Sequence, residues 1–430
     1  MQRRNEASDA SFNVAGGAPN DVKRSAQRAE PVRKGSVEGR LLRRLLHVFG
    51  DPPVCIVLWN GETVCTSTEP PFAALHIADR ATLIRLCADP DLQFGEAYSE
   101  GALRVEGRLE RLLEELYRRG SALSRGNATS FTRRIAEALH RRPANTLTGS
   151  RENIHRHYDI GNEFYSLWLG RSMAYTCAYF PTSTATLDEA QTAKMDHVCR
   201  KLRLRPGQTV VEAGCGWGSL ALHMARRYGV RVRAFNISRE QIVFARQRAQ
   251  VEGLAGAVEF VEDDYRNITG VYDAFASVGM LEHVGVDNYP ELGRLIHRCL
   301  KRDGLGLIHS IGRNRRHLMS RWIDRRIFPG ACPPSLKQMM DVFEECNFSV
   351  LDVENLRLHY AKTLEAWLSL FERSHDRVAQ MFDERFVRMW RLYLNGSIAA
   401  FRAGGMQLFQ VVFAHGTNNE IPRTRADIYA

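Results

Sequence analysis

A doubly wound α/β sheet preceded by a smaller α+β domain is the fold this sequence predicts, and three features predict it. From residue 209 onward, strand-like apolar runs alternate with helical segments. The first strand feeds a loop with glycines at alternate positions, Gly214-Cys215-Gly216-Trp217-Gly218, and an apolar helical segment follows directly. The later strands end in polar residues, and open α/β sheets bind ligands beyond the carboxyl ends of their strands.

The 430 residues leave room for two or three domains of roughly 100–200 residues each. A hydrophobic share of 44% and a charged share of 25% suit a globular protein with a sizeable core. The net charge of +10 favours an anionic partner, nucleic acid or an acidic membrane surface, beside the plainer reading of a solvated basic exterior. No apolar run approaches about 18 residues, so no membrane span is expected. The basic start, Met1 to Asn5, leads into polar sequence instead of the apolar core of a secretory signal. Nine cysteines, scattered and without a C-x-x-C pair, argue for a reducing cytoplasm and against a structural zinc site.

Residues 1–38 have little periodic apolar content and read as a disordered tail. Residues 39–120 then form a compact α+β module. An amphipathic segment at 41–46 precedes a strand at 54–59, and Asn60-Gly61 predicts a type I′ turn into a partner strand at 62–64. Residues 83–117 alternate helix and short strand. Residues 121–150, rich in arginine, are a linker or a basic surface helix. The stretches 153–165 and 173–180 are dense in aromatic and polar side chains, which suits either a packed helix surface or a pocket lining.

A helix over 187–204 leads to the opening strand, 209–212. Ser238-Arg239-Glu240-Gln241 predicts a capping box, with Gln241 reaching back to Ser238, on a helix that runs to Gly253. Further strands are expected at 257–261, 272–278, 306–311, 348–353 and 407–414, a helix at 335–346, and a long helical stretch at 363–401. Between them, 313–330 interleaves arginines with Trp322, Ile327 and Phe328. That pattern fits an interfacial segment on anionic lipid, or equally an insertion whose apolar side packs on its own domain.

The glycine loop discriminates between cofactors. A dinucleotide fingerprint wants G-x-G-x-x-G and a ribose-binding acid about 20 residues on. Here the spacing is G-x-G-x-G, the acid Glu212 ends the first strand, and the second strand ends in Phe235-Asn236-Ile237-Ser238 without a carboxylate. The pattern is that of S-adenosylmethionine (SAM) binding instead of NAD binding.

Five motifs in this order closely resemble the cyclopropane-fatty-acyl-phospholipid synthase family over about 41–416. They are His157-Tyr158-Asp159-Ile160-Gly161-Asn162, Tyr175-Thr176-Cys177-Ala178-Tyr179, the glycine loop, Gly279-Met280-Leu281-Glu282-His283-Val284-Gly285, and Phe409-Gln410-Val411-Val412-Phe413. The resemblance implies a Rossmann-like SAM-methyltransferase sheet with helical insertions over 151–420, a helical lid at 151–198, a membrane- or substrate-facing insertion at 313–340 and a short tail at 421–430. It implies methylene transfer from SAM to the cis double bond of unsaturated phospholipid acyl chains, at the cytoplasmic face of a bacterial inner membrane, by a peripheral protein. The N-terminal module would serve membrane engagement and a homodimer. A related lipid C-methyltransferase, giving methyl- or methylene-branched chains, shares the same motifs.

The same resemblance assigns a site. SAM would be contacted by Tyr175, Thr176, Gly214, Gly216, Gly218, Gln241, Asp264 and Tyr265, with Glu212 at its methionine end and Asn236 near the ribose. A bound bicarbonate ion, the base of the family, would fall on Cys177, Glu282, His309, Ile311 through its backbone, and Tyr360. No metal is implied. Glu282 beside an anion requires that it accept a hydrogen bond from protonated bicarbonate or that it orient His309; the first is preferred. Tyr175, Tyr179 and Tyr360 offer aromatic faces that stabilise a carbocation without attacking it. A silent lipid-binding protein is disfavoured because Cys177, Glu282 and His309 are all present, and a nucleic-acid methyltransferase because the lipid-family motifs do not fit it.

Overall fold

A computed structural model describes residues 36–123 and 160–429, Leu318 excepted. The expected tail up to residue 35, most of the basic linker, and His157, Tyr158 and Asp159 of the first motif lie outside the described residues.

The small N-terminal domain opens with α1 (Val37–Val48), so the helix begins inside the expected tail. Ser36 starts it by accepting a hydrogen bond from Gly39 N–H at 2.9 Å. Strands β1 (Val54–Val57), β2 (Thr63–Cys65), β3 (Ala73–Ile77) and β4 (Leu103–Gly107) form one sheet in the order β2-β1-β3-β4. Helices α2 (Arg80–Ala88), α3 (Pro90–Glu100) and α4 (Leu109–Leu123) complete the domain. The hairpin is present, but its turn is not type I′. Gly61 N–H donates to Leu58 O and Leu58 N–H to Glu62 O, both at 2.9 Å, and Gly61 alone takes positive φ. That is a three-residue loop whose last residue is left-handed, a geometry the same Asn-Gly pair also serves. The scattered spacing of the cysteines gave no sign of one pairing that the hairpin creates. Strand pairing places Cys55 opposite Cys65, and a disulfide joins them, although they stand ten positions apart in the chain.

The larger domain starts with α5 (Asn162–Ser166) and α6 (Leu187–Lys201). The expected helical lid is therefore irregular between these two helices. The buried Gln191 amide accounts for part of that path by donating to the carbonyls of Ala174 and Thr176 at 3.3 and 2.9 Å. The sheet follows: β5 (Thr209–Ala213), α7 (Ser219–Tyr228), β6 (Arg231–Asn236), α8 (Arg239–Val251), β7 (Val258–Glu262), β8 (Tyr272–Val278), α9 (Leu281–Val284), α10 (Tyr289–Cys299) and β9 (Leu300–Gly312). After β9 come α11 (Arg321–Arg326), α12 (Leu336–Met339), β10 (Phe348–Asn355), α13 (Arg357–Arg373), α14 (His375–Met381), α15 (Glu384–Arg402), β11 (Gln407–His415) and α16 (Ala426–Tyr429). The strand order is β10-β11-β9-β8-β5-β6-β7, parallel from β7 to β9, with β11 antiparallel between β9 and β10.

Alternation along β5 explains the two cores. Val210 packs with α6, α7 and α8 on one face, and Val211 with α9 and α10 on the other. The expected 363–401 helix is three helices; the last break falls at Asp383, whose extended backbone and carboxylate, accepting Phe386 N–H at 2.7 Å, start α15. The 335–346 helix shrinks to α12 and a 3₁₀ turn, Met340–Val342. The expected C-terminal tail ends in α16, whose Tyr429 hydroxyl donates to Glu354 at 3.3 Å.

The arginine-rich insertion packs across the domain boundary. Trp322 is 5% exposed, Ile327 is buried and Phe328 is half-buried, so the aromatic side of this segment is not free to enter a bilayer. Its partner is the N-terminal domain. Arg326 makes a two-pronged pair with Glu96 at 2.7 and 2.8 Å, and Arg321 N–H donates to Asp91 at 2.7 Å. Gly95 on α3 lies under the Trp322 ring, and a Cβ there would come within 2.4 Å of it. Gly95→Val should therefore cost about 1–3 kcal/mol of stability, read as a lower urea midpoint. An unchanged midpoint would mean that the two domains do not depend on this contact.

Candidate functional site

Two cavities open at the carboxyl end of the sheet. The first is bounded by the glycine loop after β5, the ends of β6, β7 and β8, and the irregular segment before α6. Tyr175, Thr176, Glu212, Gly214, Gly216, Asn236, Gln241, Asp264 and Tyr265 all line it. Gly218 does not. It starts α7 with φ of +82°, and a Cβ on it would meet the Phe260 ring at 2.5 Å, so its role is packing.

The capping box on α8 is also incomplete, for a reason that concerns this cavity. Ser238 accepts Gln241 N–H, but the Gln241 side chain turns away and takes a 2.7 Å hydrogen bond from the Asn236 amide. The pair thereby places an amide wall where an acid would hold a ribose. Asp264 spends its carboxylate on Arg266, at 2.8 and 3.1 Å.

Glu212 is 2% exposed, and its Oε2 has no hydrogen-bond partner among the described residues. Burial pushes its carboxyl up to about 7. Lys194, equally buried on α6, reaches the same cavity and donates to Thr176 Oγ1 at 2.9 Å; burial lowers its ammonium to about 8. A carboxylate and an ammonium within one cavity complement the amino and carboxylate groups of an amino-acid ligand. Sequence reasoning missed Lys194. Its signal was the spacing Lys194, His197, Lys201 on one helix, which sets three buried polar side chains on a single face.

The second cavity is much larger, about 1420 Å³, and all five residues of the expected bicarbonate site line it: Cys177, Glu282, His309, Ile311 and Tyr360. Its remaining wall comes from α13, α15, the insertion, and Leu92, Phe94 and Leu116 of the N-terminal domain. Tyr175, Thr176, Gly279 and His283 line both cavities, so the two spaces meet there. Gly279 keeps that junction open, since a Cβ on it would crowd Thr176 Cγ2 at 2.9 Å.

Within this second cavity, Glu282 Oε1 accepts Ile311 N–H at 2.6 Å, so the Ile311 backbone is already engaged. Glu282 Oε2 and His309 Nε2 are buried without partners among the described residues. Glu282 does not orient His309; Gln410 does, at 3.0 Å from Nδ1. Unmet buried polar atoms cost about 1–3 kcal/mol each, and their convergence on a cavity points to a polar ligand. Burial raises Glu282 to about 7 and drives His309 well below its usual value. It also pushes the Cys177 thiol up, which stays protonated and donates to the Ala178 carbonyl at 3.1 Å.

The aromatic residues divide. Tyr175 and Tyr360 face the cavity, Tyr175 sharing a 2.8 Å hydroxyl contact with Tyr393 and Tyr360 packing on Phe401 at 4.7 Å. Tyr179 lines neither cavity. It is stacked between His197 and His359 at 4.4 and 4.7 Å, which withdraws it from any cation on a substrate.

This strand order, glycine loop and junction define the class: a SAM-dependent methyltransferase with a large, aromatic-walled cavity beside its cofactor site. The chain belongs to the mycolic acid cyclopropane synthetase family, whose profile matches residues 145–411. Residues 41–128 match a domain of unknown function. A probable fatty acid methyltransferase of Pseudomonas putida is 36% identical over 88% of this chain and 96% of its own length. The cyclopropane-fatty-acyl-phospholipid synthase of Escherichia coli K12 is 38% identical over 78% of this chain and 86% of its own. Among solved structures, mycolic acid cyclopropane synthase CmaA1 complexed with SAH and CTAB matches 61% of this chain and 97% of its own with a TM-score of 0.58 at 30% identity. The enzyme is thus a SAM-dependent, lipid-modifying methyltransferase.

The raised carboxyls set a pH dependence. Between 4.5 and about 7 the folded protein holds a proton on Glu282 that the unfolded chain has released, so stability is greatest below that window and falls as pH rises through it. The loss is on the order of 3 kcal/mol for a shift of this size. Urea midpoints of the SAM-free protein should fall from pH 5 to pH 8, and Glu282→Gln should flatten part of that fall. Equal slopes for the two proteins would contradict the assignment.

Proposed function

We propose that this enzyme adds a methylene group across the cis double bond of unsaturated phospholipid acyl chains to form cyclopropane fatty acids. The observation that carries the reading is the junction of the two cavities at Tyr175, Thr176, Gly279 and His283, with the unmet Glu282 and His309 atoms just beyond it on the acyl side. When bound, SAM supplies the methyl group and bicarbonate the base that removes a proton from it.

The chain's residues do the rest. Glu212 and Lys194 hold the amino and carboxylate groups of the methionine moiety, the Asn236–Gln241 pair lies by the ribose, and the glycine loop lets the backbone approach the cofactor closely. An isolated alkene is a weak nucleophile, so it needs a dry cavity that fixes it against the donor. Rings of Tyr175 and Tyr360 face the positive charge that methyl transfer leaves on the acyl chain.

The polar groups suit bicarbonate. His309 and Tyr360 offer hydrogen-bond donors to its oxygens, and Glu282 Oε2 offers an acceptor for its hydroxyl. Cys177, kept neutral, closes the site without competing as a nucleophile. At the cavity mouth, the exposed Arg315, Arg316 and Arg325 supply positive charge toward an anionic bilayer surface, in keeping with the net charge of +10. Among the described residues, no helix is long and apolar enough to cross a membrane. The reading is a peripheral enzyme of the cytoplasmic face of the inner membrane, as a homodimer, with no role for nucleic acid.

A second reading has support from the name of the P. putida relative, a fatty acid methyltransferase. In it the same cation is resolved to a methyl- or methylene-branched chain. With SAM, bicarbonate and unsaturated anionic vesicles, the first reading predicts products heavier by one CH2 with the alkene lost in a ring. A branched product would favour the second, and no lipid product would contradict both. Glu282→Gln should lower turnover by roughly 100-fold or more while SAM affinity stays within about threefold; weakened SAM binding would move Glu282 to the cofactor site.

SAM affinity itself should depend on pH. Glu212 must be ionised, above about 7, and Lys194 protonated, below about 8, so binding should peak between these values. Calorimetric titration across pH 5.5–9.5 tests this, and a flat profile would separate these two residues from the methionine end.

A further inference from the structure

Three adjacent strands carry a row of polar side chains that links His309 to residues the mechanism above does not use. Glu354 on β10 is paired in register with Gln410 on β11, and Gln410 with His309 on β9. Lys201 reaches this row from α6. Its ammonium donates to Glu354 Oε2 at 2.6 Å and to Gln410 Oε1 at 2.8 Å, and its side chain is fully buried. Gln410 is also fully buried, and its Nε2 lies 3.0 Å from His309 Nδ1. His197 adds a 2.6 Å contact to Glu354.

The chemistry of the row fixes the orientation of the Gln410 amide and the tautomer of His309. An ammonium only donates, so the Gln410 atom facing Lys201 must be the carbonyl oxygen. The amide NH2 then faces His309 and, having no lone pair to offer, must donate to Nδ1. In a neutral imidazole with Nδ1 accepting, the proton sits on Nε2. Nε2 is the buried atom that lacks a partner among the described residues, and His309 lines the acyl cavity. Charge keeps the ring neutral. Burial, with Lys194, Lys201 and His197 nearby, lowers the affinity of His309 for a second proton, against only Glu354 in the other direction. Glu354 stays ionised, because hydrogen bonds from His197 and Lys201 outweigh its desolvation and hold it at about 2.

We propose that Lys201 and Gln410 are positioning residues that lock His309 as the Nε2–H tautomer, making it a fixed hydrogen-bond donor to a bound oxyanion and denying it the role of base. The inference rests on the bicarbonate reading of the cavity. A histidine with its cavity-side nitrogen already protonated cannot accept the substrate proton, so the acceptor must be another group. A small oxyanion answers both requirements, since it needs donors around it and carries its own basic oxygen.

Two measurements on the full chain test this. In protein labelled with 15N-histidine, His309 should show a pyrrole-like Nε2 and a pyridine-like Nδ1. In Gln410→Glu, the new carboxylate accepts from Nδ1–H and the pattern should invert. The bicarbonate concentration for half-maximal turnover should then rise roughly 10- to 100-fold, the scale for losing a hydrogen bond to a charged group, while SAM affinity stays at the wild-type value. A wild-type Nδ1–H tautomer, or an inverted tautomer in Gln410→Glu with unchanged bicarbonate dependence, would overturn the proposal. If wild-type turnover proves independent of bicarbonate, the base reading fails by itself, and the two tautomer patterns still decide whether the relay exists. If the variant loses SAM binding and so its fold, the wild-type spectrum alone decides.

Discussion

The desolvation of a few polar groups around one junction governs how this molecule is built. Glu212 Oε2, Glu282 Oε2 and His309 Nε2 all lie out of reach of water and of protein partners among the described residues. Natural folds keep such atoms where a ligand completes them, because leaving them unmet costs stability continuously. Here the deficits sit on either side of Gly279, whose missing side chain joins the two cavities. On the proposed function, a methyl donor and a reacting chain in these adjoining cavities, which share Tyr175, Thr176 and His283 beside that glycine, would have the orientation an unactivated alkene needs. The same burial that destabilises the SAM-free protein keeps Cys177 a thiol, a weaker nucleophile than its thiolate.

The fold serves this arrangement through strand register. His309 and Ile311, two residues apart on β9, share a face, the register of β11 sets Gln410 beside His309, and β10 adds Glu354 to the same row. A slip of one residue would turn the row to the opposite face. Helix α6 lies across it with Lys194 toward the cofactor and Lys201 toward the histidine, so one helix tunes both cavities. The N-terminal domain contributes more than an attachment. Through Gly95, Glu96 and Asp91 it fastens the insertion, and through Leu92, Phe94 and Leu116 it forms part of the wall of the larger cavity.

Most of the sheet was legible in the sequence because its strands are short apolar runs bounded by turn or polar residues, and β8 falls at its expected limits. Nine of the ten expected cofactor residues and all five of the expected bicarbonate site line the cavities, since motifs at strand ends fall where such cavities open. What sequence did not reveal depends on tertiary pairing. Gly218 packs on Phe260, Tyr179 stacks between two histidines, Cys55 meets Cys65 across a hairpin, and Trp322 is covered by a domain more than 200 residues earlier in the chain. Lys194 and Lys201 look like ordinary helix lysines until the sheet beneath them is known. Local patterns carry no information about which face a distant strand will cover.

The central claim is that the transferred methyl group loses a proton and closes a ring. Supplying SAM with a fully deuterated methyl group, bicarbonate and vesicles of unsaturated phospholipid tests it in one product. Two deuterium atoms retained in a saturated three-membered ring, with the third released to solvent, is the predicted result. Retention of all three in a branched chain would contradict it.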